Sequence, residues 1–161
     1  MSKNSATYHG VYTPEFPEKY IGSKPIHYRS SWESNVAYFL DHNQNVVRWG
    51  YEIIEIPYVS FDGRVHKYIM DFYAEIVTTN QSIQKFLIEV KPEGNLNSVL
   101  AQKPPVRPKK RTPKSIRNFI YESKTYLQNR AKWQSAKAFC HSNGLKFVVW
   151  TEKNGFNFTA S

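Results

Sequence analysis

The chain has 161 residues, one cysteine and a formal net charge of +9. This length suits one domain that buries about 70% of its unfolded surface, and the basic excess favours a polyanionic partner, nucleic acid ahead of an acidic membrane surface. We expect no membrane span, because no apolar run of about 18 residues is present, and no signal peptide, because residues 1–10 are polar. The lone Cys140 excludes an intramolecular disulfide and a cysteine zinc site.

The first 29 residues predict an extended arm. Three prolines and Gly22 within this segment discourage a long helix or a central strand. Its aromatic and aliphatic side chains predict packing against the core: Tyr8, Tyr12, Phe16, Tyr20, Ile21 and Ile26. We therefore expect the arm, residues 1–29, and the remaining residues to form one domain that spans residues 1–161.

A first helix is predicted to begin after Ser30 and to end at Asp41-His42-Asn43. Ser30 and Glu33 have the spacing of a capping box. An apolar stripe at helical spacing follows, formed by Trp32, Val36, Phe39 and Leu40. Glu33 has two interpretations that do not exclude each other. It is the capping partner of Ser30, or it is a carboxylate that faces a metal site on the following strands.

Three strands are predicted after this helix, because β-branched and aromatic residues are dense between turn signals. The first main strand is Ile53–Val59, with residues 46–51 leading into it, and the others are Val65–Val77 and Gln84–Lys91. Pro57 restricts the first of them to an edge or a strand end. In the second strand, Asp71 is predicted to face away from a single apolar row that consists of Tyr68, Met70, Phe72, Ala74 and Ile76.

If the second and third strands pair as a hairpin, Asp71, Glu89 and Lys91 can converge at one end of the sheet. Two carboxylates supply the hard oxygen ligands that Mg²⁺ prefers, and bound Mg²⁺ polarises a phosphoryl oxygen and activates water. A lysine beside them offsets the negative charge that develops during phosphodiester hydrolysis. The alternative is that all three residues are solvent-facing positions of an antiparallel sheet with one wet face.

Residues 94–115 are basic and rich in proline, and no acidic residue occurs from Gly94 to Tyr121. Because proline interrupts regular structure, we expect an exposed, mobile loop inserted directly after the third strand. Its cations can contact phosphates without reading base sequence; a solvated linker is the alternative. The predicted DNA-binding residues of the loop are Lys103, Arg107, Lys109, Lys110, Arg111 and Lys114.

A second helix is predicted from Ile116 or Ile120 to His141, followed by a left-handed C-cap at Asn143-Gly144. The small and apolar residues predicted to face the sheet are Leu127, Ala131, Ser135 and Ala138. A near-continuous apolar strand, Leu145 to Trp150, then suits the interior of a sheet. The order of elements is therefore helix, three strands, helix, strand.

This order, with Ile69-Met70-Asp71 on the second strand and Glu89-Val90-Lys91 on the third, resembles the PD-(D/E)xK nuclease superfamily. The resemblance implies an α/β fold of the restriction-endonuclease-like type, with a central mixed β-sheet flanked by helices. It implies that Asp71, Glu89, the carbonyl of Val90 and Glu33 bind Mg²⁺ or Mn²⁺, and that Lys91 positions the attacking water. Met70 replaces the usual proline, which is not a ligand.

Further segments resemble the head completion nucleases of T4-like tailed phages: Tyr12-Thr13-Pro14, Pro17 to Gly22, Tyr28 to Glu33, Glu89 to Pro92, Ala131-Lys132-Trp133 and Thr151-Glu152. The resemblance implies a deoxyribonuclease that acts on packaged DNA before the tail joins the filled head. Implied partners are DNA and phage head, portal or tail proteins, with no membrane. The implied location is the host cytoplasm during assembly, or the virion. Arg29 and Lys132 are predicted to hold the DNA backbone, since a lysine on the last helix approaches the site in related nucleases.

Three alternatives stay open. Endonucleases of the Tn7 transposon-end type share the same core and a similar helix-strand ending. A structural head–tail joining protein with a vestigial site would bind DNA and virion proteins without cutting, and a simple DNA-binding module would bind DNA equally well without metal. Relatives that cut both strands are commonly dimers, and the sequence leaves the oligomeric state open.

Overall fold

The computed structural model describes residues 9–23, 25–92, 103–151 and 153. Two α-helices occur among them, α1 (Ser31–His42) and α2 (Pro113–Asn143), with a short 3₁₀ helix at Pro17–Lys19. The strands are β1 (Gly10–Tyr12), β2 (Ile26–Tyr28), β3 (Val46–Tyr51), β4 (Glu55–Val59), β5 (Val65–Ile69), β6 (Phe72–Val77), β7 (Ile83–Val90) and β8 (Leu145–Trp150). Judged over the described residues alone, neither α-helix combines the length and apolar character needed to span a membrane.

The central sheet has four strands in the order β3-β6-β7-β8. The pairs β3–β6 and β6–β7 are antiparallel, whereas β8 lies parallel to β7. A parallel neighbour needs a crossover connection, and α2 lies in the one between β7 and β8. Helix α1 packs on one face with Phe72, Ala74 and Ile88, and α2 packs on the other with Leu87. The predicted α/β architecture, a mixed sheet flanked by helices, is confirmed.

The predicted strands are wrong in three respects. The strand Leu145–Trp150, predicted for the sheet interior, lies at the edge of the described sheet and is only partly buried. Residues 46–51 form the first strand of the central sheet, while β4 turns away and pairs with β5 in a separate hairpin. The predicted strand Val65–Val77 is interrupted at Met70 and Asp71, where the backbone bends. Because the bend changes which face each side chain meets, the predicted single apolar row is also wrong. Tyr68 and Met70 pack on the α2 side of the sheet, whereas Phe72 packs on the α1 side.

The caps of both helices agree with the sequence, but the start of α2 does not. Ser30 Oγ accepts the backbone N–H of Glu33 at 3.2 Å, and Gly144 takes the left-handed conformation at φ 65°. Helix α2 begins at Pro113 rather than at Ile116 or Ile120. Proline is well suited to the first helical position, because the N–H that it lacks would have no hydrogen-bond partner within the helix. The predicted loop, residues 94–115, is therefore wrong at its C-terminal end. Its first residues, 94–102, lie outside the described residues.

Helix α2 packs through only part of the predicted face: Ala131 lies against the apolar cluster that contains Leu87, as predicted. Ala136 and Cys140 are its buried positions, whereas Leu127 and Ala138 are exposed. The prediction relied on spacing along one helix face, and spacing alone does not reveal which of two faces meets the sheet. The side of α2 that meets the sheet combines the small side chains of Ala136 and Cys140 with the larger one of Phe139.

Asp41 attaches the N-terminal segment to α1. Its carboxylate is fully buried and accepts the Tyr12 hydroxyl at 2.8 Å and the N–H groups of Glu15 and Phe16 at 2.7 and 3.2 Å. Its backbone carbonyl accepts the Lys19 ammonium at 2.7 Å. These contacts explain how an arm with little secondary structure is held against the domain.

We expect Asp41→Ala to lower the free energy of unfolding by about 3 kcal/mol, because two buried backbone N–H groups and a hydroxyl lose their acceptor. Urea denaturation monitored by circular dichroism measures the change. As a control, Glu55→Ala removes an exposed ion pair with Lys67 and should cost less than about 1 kcal/mol. Equal losses in the two variants would contradict this assignment for Asp41.

Candidate active site

Asp71 and Glu89 lie opposite each other at one end of the central sheet. Phe72 pairs with Ile88 in the antiparallel register of β6 and β7. The next position along the two strands therefore brings Asp71 beside Glu89. Oδ2 of Asp71 accepts the N–H of Val90 at 2.7 Å. The Asp71 carbonyl accepts the N–H of Glu52 at 3.0 Å. Asp71 is thus held from both neighbouring strands.

Both carboxyl groups are buried, with exposed fractions of 8% for Asp71 and 6% for Glu89. Within the described residues, Oε2 of Glu89 is a buried oxygen without a hydrogen-bond partner. Burial raises the pKa of Asp71, and the neighbouring Glu89 raises it further. Burial also raises the pKa of Glu89, although Lys91 opposes that rise. Such a pair favours either a retained proton or a bound cation.

Lys91 lies between this pair and solvent. Its ammonium is 3.4 Å from Oε1 of Glu89, and its side chain is 39% exposed. The backbone N–H of Lys91 donates to the Trp150 carbonyl at 2.9 Å, which fixes the chain beside the end of β8. A cation placed in this way can pair with Glu89 and also contact a phosphate that approaches from solvent.

Tyr68 and Lys132 adjoin the other side of Glu89. Tyr68 is buried on β5, and burial together with the neighbouring Glu89 carboxylate raises the pKa of its hydroxyl. The Lys132 ammonium lies 5.5 Å from the centre of the Tyr68 ring and 5.8 Å from that of Tyr58, within the range of cation–π attraction. The sequence predicts Tyr68 only as an apolar residue, because nothing in its spacing reveals a neighbouring carboxylate on another strand.

Glu33 is buried in the first turn of α1. Its Oε2 accepts the N–H of Arg29 at 2.8 Å and the hydroxyl of Tyr51 at 3.2 Å. The carboxylate therefore bonds the residue before the N-cap rather than Ser30. Glu33 is near enough that its charge adds to burial and Glu89 in raising the pKa of Asp71.

Arg29 forms an ion pair with Glu52 and is 60% exposed. Glu52 has φ 51°, a left-handed conformation that is uncommon for a glutamate. The same residue donates its N–H to the Asp71 carbonyl. Glu52 thus connects Arg29 with the backbone of Asp71. The sequence does not predict this role, because Glu52 directly follows a strand and belongs to no recognisable motif.

A second buried carboxylate shows how unusual the Asp71–Glu89 pair is. Glu75, on β6, accepts two hydrogen bonds of 3.1 Å from Arg48 and one of 2.8 Å from the Tyr73 hydroxyl. Its pKa is lowered despite burial, because these donors stabilise the charged form. Glu75 is fully neutralised within the chain, whereas Asp71 and Glu89 have only Lys91 as an ion-pair partner in the described part of the chain.

The donor set fits a hard divalent cation. Two carboxylates lie side by side, and Oε2 of Glu89 is a buried acceptor that still needs a positive partner. Across the described ranges, no three His, Cys, Asp or Glu side chains are grouped closely enough to form a larger ligand set. Mg²⁺ suits few protein ligands, because it commonly keeps several waters. The roles of Val90 and Glu33 as further ligands stay predictions.

The predicted DNA-binding residues fall into two groups. Arg29 and Lys132 lie near the carboxylates through Glu33 and Tyr68, respectively. The others are exposed cations of residues 103–112 and the first turn of α2: Lys103, Arg107, Lys109, Lys110, Arg111 and Lys114. Their contact with DNA stays a prediction.

Two comparisons with known proteins identify relatives of this chain. Residues 43–152, which contain Asp71, Glu89, Lys91 and Lys132, match the family described as TnsA-like endonuclease N terminal. The chain is also 34% identical over 147 residues to the head completion nuclease of Enterobacteria phage T4, a match that covers 90% of this chain and 91% of that protein. The predicted resemblance is confirmed. The chain therefore belongs to the TnsA-like endonuclease family, and the phage T4 head completion nuclease is its homologue over nearly its whole length.

Proposed function

We propose that this protein is a Mg²⁺-dependent deoxyribonuclease of phage head completion, with Mn²⁺ as an alternative ion. It hydrolyses phosphodiester bonds of packaged DNA before the head joins the tail. The observation that carries the proposal is the buried pair Asp71 and Glu89, which, in the described part of the chain, has Lys91 as its one ion-pair partner and one carboxylate oxygen without a hydrogen-bond partner. The homologue's role in head completion supports the biological setting.

In this proposal Asp71, Glu89 and the Val90 carbonyl hold the ion. Glu33, which is not grouped with both carboxylates in the described residues, becomes a ligand once its side chain moves closer. When bound, the ion polarises a phosphoryl oxygen and lowers the pKa of a water molecule. Lys91 orients that water and offsets the charge that develops on the phosphate. Tyr68 adjoins Glu89 and forms part of the buried surroundings of its carboxylate.

The DNA backbone is held by cations at two distances from the carboxylates. Arg29 and Lys132 contact the phosphates nearest to the scissile bond, since their neighbours Glu33 and Tyr68 adjoin the carboxylates. The basic residues from Lys103 to Lys114 contact more distant phosphates. Because phosphate contacts do not read bases, we expect cleavage with weak sequence preference.

Two other functions have observations in their favour. A transposon-end endonuclease is consistent with the family match over residues 43–152, but the homologue match extends over 90% of the chain, including the N-terminal segment, and favours head completion. A joining protein with a vestigial site would leave the carboxylates without a task, although their burial opposes folding. We expect the protein to act in the host cytoplasm during assembly or in the virion.

The first test is cleavage of supercoiled and linear plasmid DNA with Mg²⁺, Mn²⁺ or EDTA. We expect metal-dependent cutting by the wild-type protein and a rate at least about 100-fold lower for Lys91→Ala, because the charge that stabilises the transition state is removed. The matched control is Lys85→Ala, which removes a lysine near the other end of the same strand and should cut at the wild-type rate. Gel electrophoresis of products over time measures both rates and separates nicking from end-trimming.

Cutting that persists in EDTA would contradict the metal-dependent proposal. Cutting that Lys91→Ala retains in full would contradict the assigned site. If pure wild-type protein cuts no DNA with any ion, the joining function becomes the better explanation.

Replacing Asp71 by Asn should stabilise the metal-free protein at pH 8. The pKa of Asp71 is raised from its ordinary 3.8 to about 8 by burial and then by Glu89. The stabilisation that comes from keeping a proton on Asp71 is therefore at its full value below about pH 4, and it is lost as the pH rises through about 8. Asn carries no charge and keeps an oxygen for the Val90 N–H. A gain of about 1 kcal/mol would raise the melting temperature by about 2–4 °C.

The same variant should lose the stabilisation that Mn²⁺ gives. Thermal melts at pH 6 and pH 8, with Mn²⁺ or EDTA, compare wild type, Asp71→Asn and the exposed control Glu55→Gln. Mn²⁺ should raise the wild-type melting temperature more at pH 8 than at pH 6, since protons compete with the ion for the carboxylates. Equal Mn²⁺ effects in wild type and Asp71→Asn would place the ion elsewhere.

The basic segment should control the salt dependence of DNA binding. Neutralising Lys109 and Lys110 to Gln should weaken duplex binding and make the slope of log K against log salt less steep, by up to about 0.9 per lost phosphate contact. Fluorescence anisotropy at several salt concentrations measures the slope. The control pair, Lys85 and Lys146 to Gln, lies towards the far end of the sheet from Glu89 and should leave the slope unchanged. An unchanged slope in the Lys109 and Lys110 variant would contradict the contact.

A further inference from the structure

Three large aliphatic side chains lie exposed along the N-terminal half of α2, where Tyr121 is exposed as well. Ile116, Ile120 and Leu127 are 42%, 47% and 47% exposed. Their positions, separated by four and seven residues, share one face of the helix, and we call these three residues the outward stripe. Single exposed apolar residues are common on proteins, whereas a row at helical spacing is typical of a face that becomes buried.

The face of α2 that packs on its own domain is a different one. Ala136 and Cys140 are buried there, and Gln128 donates to the Tyr58 hydroxyl at 3.1 Å. Leu127 precedes Ala136 by nine residues, or two and a half helical turns, so the outward stripe points away from the sheet. The helix therefore packs small side chains and Phe139 on the sheet and leaves its larger aliphatic ones in solvent.

Cations border the outward stripe on both sides. At 100° per residue, Arg117 and Lys124 lie along one border of the stripe and Arg130 along the other, and all three are exposed. Among the described residues, the ion pairs within 4.0 Å involve none of these three cations. An apolar centre with cationic borders is complementary to an apolar groove that carboxylates surround.

A second copy of this chain is not complementary to this surface. It would bring the same cationic borders against each other, and like charges oppose association. Three side chains that are each about half exposed also supply only part of the roughly 800 Å² per partner that a standard interface buries. The partner must therefore add opposite charge to the contact.

DNA fits the borders but not the centre of the stripe. Phosphates are bound by cations and hydrogen-bond donors, so Ile116, Ile120 and Leu127 would gain no apolar contact on a DNA backbone. A protein groove can bury these side chains and pair the cations at the same time. Of the two kinds of macromolecule, an acidic protein surface is the better match.

We propose that the outward stripe docks α2 into an acidic-rimmed apolar groove on a protein of the phage head, an inference that rests on the proposed role in head completion. The helix binds as an amphipathic helix in a groove, anchored by the three stripe residues. Because Lys132 and the carboxylate pair adjoin the other face of α2, docking leaves Asp71 and Glu89 open to DNA.

The test separates docking from cleavage. Purified, DNA-filled, tail-less heads of the phage that encodes this protein are mixed with wild type or Ile120→Glu, and bound protein is measured by sedimentation. We expect binding at least about tenfold weaker for Ile120→Glu, because the apolar contact is lost and a carboxylate faces carboxylates. Plasmid cleavage and melting temperature should stay at wild-type values. Asn118→Glu adds the same charge at an exposed position off the stripe and should bind like wild type.

Unchanged head binding by Ile120→Glu would overturn the proposal. A clearly lowered melting temperature would also overturn it, because the stripe would then be covered within the chain. Loss of a wild-type dimer in size-exclusion chromatography would indicate a second copy, and loss of affinity for naked DNA alone would indicate DNA. Wild-type protein that binds heads without cutting DNA contradicts only the nuclease function, whereas protein that cuts DNA without binding heads contradicts only the docking.

Discussion

At the end of the central sheet, the Asp71 carboxylate accepts the N–H of Val90 while Glu89 lies beside it with a buried oxygen that has no hydrogen-bond partner among the described residues. Two like charges out of water oppose folding, since each loses hydration and repels the other. Glu75 shows that this chain neutralises a buried carboxylate elsewhere, with Arg48 and Tyr73. The stability that the pair removes must come from contacts away from it, as is common at functional sites.

Those contacts come from two apolar clusters on opposite faces of the sheet and from the buried Asp41 network that attaches the N-terminal segment. The same elements also place the site. The β3 end holds the Asp71 carbonyl through Glu52, and the β8 end holds Lys91 through the Trp150 carbonyl. Because the site's backbone is fixed from both sides, the repulsion between the two carboxyl groups is relieved by a retained proton or by a bound cation.

Helix α2 joins the site to the protein's surroundings. The face of α2 that packs on its own domain places Lys132 over Tyr68, next to Glu89. The outward stripe of α2 and the basic residues that precede Pro113 face solvent. In the proposed function, one face of this helix serves the reaction and the other binds a partner. Docking would account for the aliphatic side chains that the helix exposes, which a purely structural helix would bury.

Local patterns in the sequence determined much of this protein: the Ser30 cap, the strands on either side of Asp71, the strand that leads to Glu89-Val90-Lys91, the final strand and the nuclease family. Those features depend on residues close together in the chain or on a motif along a single strand. Only the tertiary structure decided the bend at Asp71, the departure of β4 and β5 from the sheet, the position of Tyr68 beside Glu89, the Arg29–Glu52 pair and the face on which α2 packs. Each of these features joins residues that are far apart in the sequence or depends on which helix face is buried. A periodic pattern predicts which residues share a face, but it does not predict what that face packs against.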